Sequence, residues 1–318
     1  MIVRPVLIVG APRSGTSMLQ KVLRNHPEFW SLPSESDMIW DQFCHPALRA
    51  WESEALDESD LTAADRERII ELFEDYIRPA AFWRPFEKTN LIWGFRRMPA
   101  VRRVMRQVFA RVLPHIRRSS DKEIPKRLLE KTASNCFRLG YVTGVFPDAK
   151  IIYPVRDGRN TVNSMINAWR HPERFFTYDV PMELHIEGYV HGRWKFVLPP
   201  GWRDYTRRSL AEVCAFQWRS CHEFMLAETA KEQYRDRVLR IRLEEFVAEP
   251  EKHMKQLAGF LDLPYDDYFE RIARELPVVN SPDGDVSRDK WRGENLELIE
   301  SVMPMIAPTM QRLGYEID

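Results

Sequence analysis

The sequence predicts an α/β fold of three layers, a mostly parallel central sheet flanked by helices. Short apolar, β-branched runs, Pro5–Val9, Lys150–Val155 and Val238–Ile241, alternate with segments of helical periodicity. The first run also passes straight into a glycine turn, and behind that turn Met18, Leu19, Val22 and Leu23 recur at helical spacing. Strand, glycine turn and helix in that order bring backbone N–H groups and a helix dipole to one point, a cradle for an anion.

That turn reads Gly10-Ala-Pro-Arg-Ser-Gly-Thr-Ser17. It fits the phosphate-loop pattern GxxxxGK[ST] at Gly10, Gly15 and Ser17, but Thr16 stands where the lysine belongs. The predicted architecture is therefore P-loop-like without the cation that neutralises β- and γ-phosphates. Arg13 still supplies a cation inside the loop. The expected ligand carries phosphate and is not ordinary ATP.

The chain has 318 residues, 44% hydrophobic and 12% aromatic, which suits a substantial core rather than disorder. We read residues 1–318 as a single domain with an inserted segment over about 171–208. The formal net charge is zero, which argues against a general nucleic-acid or membrane-surface role. The charge is polarised: Glu28 to Asp75 holds 14 acidic and 3 basic residues, whereas Arg96 to Arg127 holds 11 basic and 2 acidic. Val101, Val104, Met105, Val108 and Val112 form an apolar stripe through the basic stretch, so a solvated helix face is its expected form. Four scattered cysteines show no metal spacing and suit a reducing compartment. No run approaches the ~20 apolar residues of a membrane span, and no signal peptide is visible. The expectation is a cytoplasmic protein.

Along the chain, Ser31 to Asp60 reads as polar and irregular, followed by a helix from about Thr62 to Tyr76 with Thr62 as its N-cap. The basic helix is expected from Pro99 to Leu113. Leu128 to Lys131 is a short strand, Ser134 to Phe146 a helix, Lys150 to Val155 a strand and Asp157 to Trp169 a turn and helix. The segment from His171 to Arg208 breaks the alternation and is rich in aromatics from Phe175 to Tyr205. It reads as a lid lining an acceptor cleft, or as core. Helices over Leu210–Tyr234, Pro250–Leu261 and Leu296–Leu313 complete the fold.

A second constellation follows the strand Ile151–Val155: Arg156-Asp-Gly-Arg159, then Ser164 on the next helix. Ligands of open parallel sheets sit beyond the carboxyl ends of the strands, so Arg156 is expected to share a crevice with the glycine loop. An arginine and a serine hydroxyl there suit a second phosphate.

With these residues in place, the chain resembles the sulfotransferases that use 3′-phosphoadenylyl sulfate. Arg13-Ser-Gly-Thr-Ser17 is similar to their 5′-phosphosulfate loop, Arg156 with Ser164 to their 3′-phosphate site, and Glu130-Lys-Thr132 to the Lys-Thr strand between them. Val155-Arg-Asp-Gly-Arg159, Asp289-Lys-Trp-Arg-Gly293 and Leu313-Gly-Tyr315 resemble the tyrosylprotein branch in detail. The resemblance implies an enzyme moving a sulfuryl group from that donor to an acceptor hydroxyl, with no metal. It implies Arg13 at the leaving oxygen, Lys131 bridging sulfuryl and phosphate oxygens, and Glu35 as general base. Ser14, Gly15, Thr16 and Ser17 would hold the 5′-phosphate, and Lys290 would close over the nucleotide. Thr132 and Asn135 would support the strand end at Lys131.

Two departures bear on the acceptor. Leu243 replaces the tyrosine of the family's Arg-Tyr-Glu strand ending, and Glu35 is followed by Ser36-Asp37 where the tyrosylprotein branch has Thr-Arg. That branch consists of Golgi membrane proteins reading acidic peptides. A carbohydrate or small molecule is the favoured acceptor over peptide tyrosine, and a homodimer is kept open. An ATP-dependent phosphotransferase on the same loop and a catalytically idle anion-binding module are the alternative readings.

Overall fold

The computed structural model describes residues 2–32, 35–83, 127–277 and 289–317, and side chains throughout these except in 77–83. The basic helix expected over Pro99–Leu113 lies outside the described residues.

Five strands form one parallel sheet: β1 (Val6–Ile8), β2 (Phe29–Trp30), β3 (Arg127–Lys131), β4 (Lys150–Val155) and β7 (Val238–Arg242), in the order β2-β3-β1-β4-β7. Successive residues of a strand point to opposite faces. Val6, Ile8, Leu129 and Ile152 accordingly enter one apolar cluster, with Leu19, Val22 and Leu23 of α1 (Thr16–Arg24). Leu7, Val9, Leu128 and Ile151 enter the other, with the helices α5 (Gly158–Arg170), α6 (Leu210–Thr229) and α11 (Leu296–Arg312). Both faces are covered, which is why β1 and β4 read as nearly continuous apolar runs.

The register aligns the carboxyl ends. Ile8 lies opposite Lys131 and Ile152, and Val155 opposite Arg242. The chain leaves the sheet into the glycine loop after β1, into Thr132 after β3 and into Arg156 after β4. One edge of the sheet thereby collects every predicted anion-binding segment but that of Lys290.

Several of the remaining elements depart from expectation; the helix expected to run to Tyr234, for one, ends at Thr229. The polar stretch Ser31–Asp60 contains a helix, α2 (Asp37–Cys44), whose Ile39, Trp40 and Cys44 are buried. Its apolar face is three residues wide in an acidic segment, too faint a period to read from sequence. The helix after Thr62 extends as α3 (Ala63–Trp83), beyond the expected end at Tyr76, with the Thr62 hydroxyl accepting the Asp65 N–H at 3.0 Å. The helix expected over Ser134–Phe146 is divided into a 3₁₀ turn, Ala133–Phe137, and α4 (Leu139–Val145).

The inserted segment carries a small antiparallel hairpin, β5 (Phe176–Tyr178) with β6 (Trp194–Lys195). Most of its aromatics lie in the core or pack against it: Trp194 packs edge-on against Trp169 of α5 and on Trp202, all three fully buried. Tyr205 stacks on Phe216 of α6 at 3.9 Å. Phe175, Phe176 and Phe196 stay half-buried.

Candidate functional site

The glycine loop is built by two left-handed residues, Arg13 at φ 69° and Gly15 at φ 96°. Gly15 is the N-cap of α1 and offers no side-chain cap, so the first N–H groups of that helix, which have no partner within it, face the loop. Ser14 is fully buried, and its hydroxyl finds no hydrogen-bond partner among the described residues. A buried orphan hydroxyl is costly unless a ligand oxygen satisfies it. These donors fit a phosphate. Leu243, at the start of α7 (Leu243–Ala248), packs onto the loop from the next strand end: a Cβ at Gly15 would stand 2.8 Å from its Cδ1. The departure from tyrosine thus has an apolar role, bracing the glycine turn.

Arg13 and Ser164 meet. Arg13 Nε donates to Ser164 Oγ at 2.9 Å across 151 positions of sequence. Arg156 Nη1 donates to the Arg13 carbonyl at 3.4 Å, the outer limit of such a bond. Burial first, then the charges of Arg156 and Arg174, lowers Arg13 from its usual range to about 10. Burial also lowers Arg156, while Glu244, Asp157 and Tyr315 oppose the shift. Crowded, desolvated guanidinium groups are stabilised by an anion placed among them.

Lys131 and Glu35 form the second pair, Nζ to Oε1 at 2.7 Å. Lys131 is nearly buried, whereas the Glu35 side chain is 36% exposed. Glu35 is fixed by its neighbour: the Ser36 N–H donates to Thr132 Oγ1 at 3.0 Å, and Thr132 Oγ1 donates to Glu130 Oε1 at 2.6 Å. The buried Glu130 also accepts from Trp40 Nε1 and Asn135 Nδ2, at 3.1 and 3.0 Å. Burial raises its carboxyl, with Thr132, Trp40 and Ser36 opposing. Beside this network, burial and then the charges of Glu35 and Asp41 push Asp37 well up, against Arg138. Sequence reasoning placed Thr132 and Asn135 at the strand end but gave Glu130 no role. A carboxylate inside the strand Leu128-Leu-Glu-Lys131 was the available signal.

Arg156 is backed by a chain of contacts from the carboxyl terminus. Tyr315 donates its hydroxyl to Glu244 Oε2 at 2.9 Å, and Glu244 Oε1 accepts the Asp157 N–H, also at 2.9 Å. Asp157 caps α5 by accepting the Arg159 N–H at 2.8 Å and pairs with the Arg159 guanidinium. Lys290 opens the short helix α10 (Lys290–Glu294) and lies 3.5 Å from Glu294, whose carboxylate accepts from Asn163 and Asn167 of α5. Lys290 therefore stands beside the helix that carries Ser164.

Residues 5–267 match a model described as the sulfotransferase family, and the chain belongs to that family. It is 22% identical to a protein-tyrosine sulfotransferase of Drosophila melanogaster over 326 residues, covering 98% of this chain and 51% of that protein. A protein-tyrosine sulfotransferase A of Caenorhabditis elegans is 22% identical over 324 residues, 98% of this chain and 67% of the relative. The chain spans about half to two thirds of the length of these relatives. Among solved structures, a sulfotransferase domain from the curacin biosynthetic pathway has the same fold, with a TM-score of 0.52, 12% identity and full coverage of both chains.

The expectation of a cytoplasmic protein is corrected by these relatives. They match nearly the whole chain and are protein-tyrosine sulfotransferases, the branch whose members the sequence resemblance places in the Golgi membrane. Among the described residues no helix is long and apolar enough to cross a membrane, which does not decide the compartment.

Proposed function

We propose that this chain transfers a sulfuryl group from 3′-phosphoadenylyl sulfate to an acceptor hydroxyl, without a metal, within one domain. The observation that carries the reading is the 2.9 Å bond from Arg13 Nε to Ser164 Oγ, which joins the two segments assigned to the donor's phosphates. Family membership supports the same chemistry.

When bound, the donor supplies a sulfuryl group open to in-line attack and a phosphate leaving group. The chain's part is positioning and charge. Ser14 Oγ, the Gly15 turn and the first N–H groups of α1, at Thr16 and Ser17, hold the 5′-phosphate. Arg13 neutralises charge developing on the leaving oxygen, where preorganised donors contribute most. Arg156 and Ser164 hold the 3′-phosphate, and Lys290 covers the nucleotide beside them. Lys131, turning from Glu35 to the anionic oxygens, leaves the carboxylate to take the acceptor's proton. Ser36, Thr132 and Glu130 keep Glu35 within reach of Lys131 during that exchange.

For the acceptor, we favour a carbohydrate or small molecule over a peptide tyrosine. Asp37 follows Glu35 closely where the tyrosylprotein branch carries a basic residue, and Asp41 adds a second carboxylate. The basic residue that would read an acidic peptide is therefore absent at this position.

Thermal unfolding with ligands tests the donor assignment. Adenosine 3′,5′-bisphosphate in a chelator is expected to raise the midpoint, and ATP with magnesium is not. Stabilisation by magnesium ATP alone supports the phosphotransferase reading instead. Bisphosphate binding without turnover of the sulfate donor, across a broad acceptor panel, supports the idle module. A search of host extracts for products heavier by one SO₃ identifies the acceptor class.

A further inference from the structure

The inserted segment reaches the loop at Phe175. The Arg13 guanidinium lies over its ring at 5.3 Å from the centroid, and Arg174 lies over the same ring at 5.1 Å. A ring face carries negative quadrupole charge and attracts a cation, more strongly when the pair is desolvated. Two guanidinium groups that repel each other are thus drawn to one aromatic surface.

Phe175 is held there at a conformational cost. Its φ is 67°, and that of Phe196 across the hairpin is 59°, a left-handed conformation unfavourable for a bulky side chain. Both strained residues face each other: the Phe196 N–H donates to the Phe175 carbonyl at 3.3 Å, and their rings pack at 5.4 Å. Lys195 fastens the hairpin to the helix of Ser164. Its buried Nζ donates to the carbonyls of Ala168 and His171 at the end of α5, and lies over the Phe176 ring at 4.1 Å. Strain concentrated where one segment touches a functional cation persists only when its surroundings over-determine it.

We propose that Phe175 is a positioning residue for Arg13: the inserted hairpin presents its ring face so that the guanidinium stays fixed against Ser164. The assignment of Arg13 to the leaving oxygen rests on the reading above; the contact itself does not. Phe175 touches neither donor nor acceptor in this role and acts through Arg13.

The test replaces Phe175 with phenylalanines bearing one to five ring fluorines, which drain the quadrupole with little change of shape. The first readout needs no donor: the rate at which phenylglyoxal modifies Arg13 in the free protein, followed by peptide mass spectrometry. It is expected to rise stepwise with fluorine number, several-fold across the series, with Phe175→Leu at the fast end and Phe175→Trp near the parent. The second readout is turnover, with kcat falling along the same series while bisphosphate affinity stays within about two-fold, because Arg156 and the loop remain. A modification rate that is flat across the fluorinated series overturns the proposal, whatever Phe175→Leu does to folding. A rising rate with no turnover by the parent protein upholds the Phe175 role and rejects sulfuryl transfer, so the two failures are distinct.

Discussion

Lys131 Nζ lies 2.7 Å from Glu35 Oε1, although 96 positions separate them in the chain. Lys131 ends β3 at the level of Ile8, where the glycine loop begins, so the pair stands at the edge of the predicted phosphate site. A carboxylate delivered there can serve as base only if its own segment is fixed, and the Ser36 N–H to Thr132 bond fixes it.

Removing the carboxylate is expected to separate chemistry from binding. Glu35→Gln should lower kcat by about 10²- to 10⁴-fold, the usual contribution of a positioned base. Bisphosphate affinity, measured by calorimetry, should change little, because the amide keeps the shape. Unchanged turnover in Glu35→Gln moves the base elsewhere.

Thr132→Val tests how that base is held. The substitution removes the donor to Glu130 and leaves the buried Ser36 N–H without its acceptor. The expected cost is about 1–3 kcal/mol of stability in chemical denaturation. At temperatures where the variant stays folded, kcat should still fall, since Glu35 directly precedes Ser36.

Arg156→Ala addresses the second phosphate. Losing a charge-assisted contact of about 1.5–3 kcal/mol should weaken adenosine 3′,5′-bisphosphate by roughly 10- to 100-fold. Affinity for adenosine 5′-phosphate, which lacks the 3′-group, should hardly move. An equal loss for both ligands contradicts the assignment of Arg156 to the 3′-phosphate.

Gly15→Ala should be harmful for two reasons. Alanine at φ 96° is strained, and its Cβ would meet Leu243 Cδ1 at 2.8 Å. A melting-point loss is expected, partly relieved by adding Leu243→Ala, which removes the clash and leaves the strain. No relief in the double variant shows that the backbone alone sets the cost.

The fold also predicts a dependence on acid. His222 is buried, accepts or donates at Nδ1 with the Tyr153 hydroxyl, and burial lowers it from 6.5 to about 3. The unfolded chain takes up this proton below about pH 6.5 while the folded chain refuses it. Its contribution is complete above that pH and declines as pH falls toward 3, by about 1.4 kcal/mol per unit. Buried Glu130 and Glu54, whose carboxyls are raised by burial, contribute with the opposite sign. The clean measurement is therefore the difference between parent and His222→Asn in urea unfolding from pH 7 to 4, where the parent should show the steeper loss.

How much of this was legible in the sequence follows from range. The glycine loop, the Arg156 turn and four of the five sheet strands declared themselves because each is a local pattern of residue type and spacing; the two-residue β2 did not. Parallel pairing then placed their carboxyl ends together by topology alone. Glu35 could be proposed only through a resemblance, since nothing local separates it from Asp37 and Asp41; its pairing with Lys131 is a long-range fact. The α2 helix was missed because its buried face has few residues in an acidic run. Phe175 was hidden among aromatics that are mostly core, and what sets it apart, a left-handed backbone and two guanidinium groups over its ring, leaves no trace in composition.

The most direct test of sulfuryl transfer is a labelled-donor assay. The protein, supplied with 3′-phosphoadenylyl [³⁵S]sulfate and an extract of acceptors in the presence of a chelator, should move label into new products. Arg13→Ala and Glu35→Gln should each abolish that transfer while remaining folded. Label that stays with a donor the protein demonstrably binds, across all acceptors tried, contradicts the account.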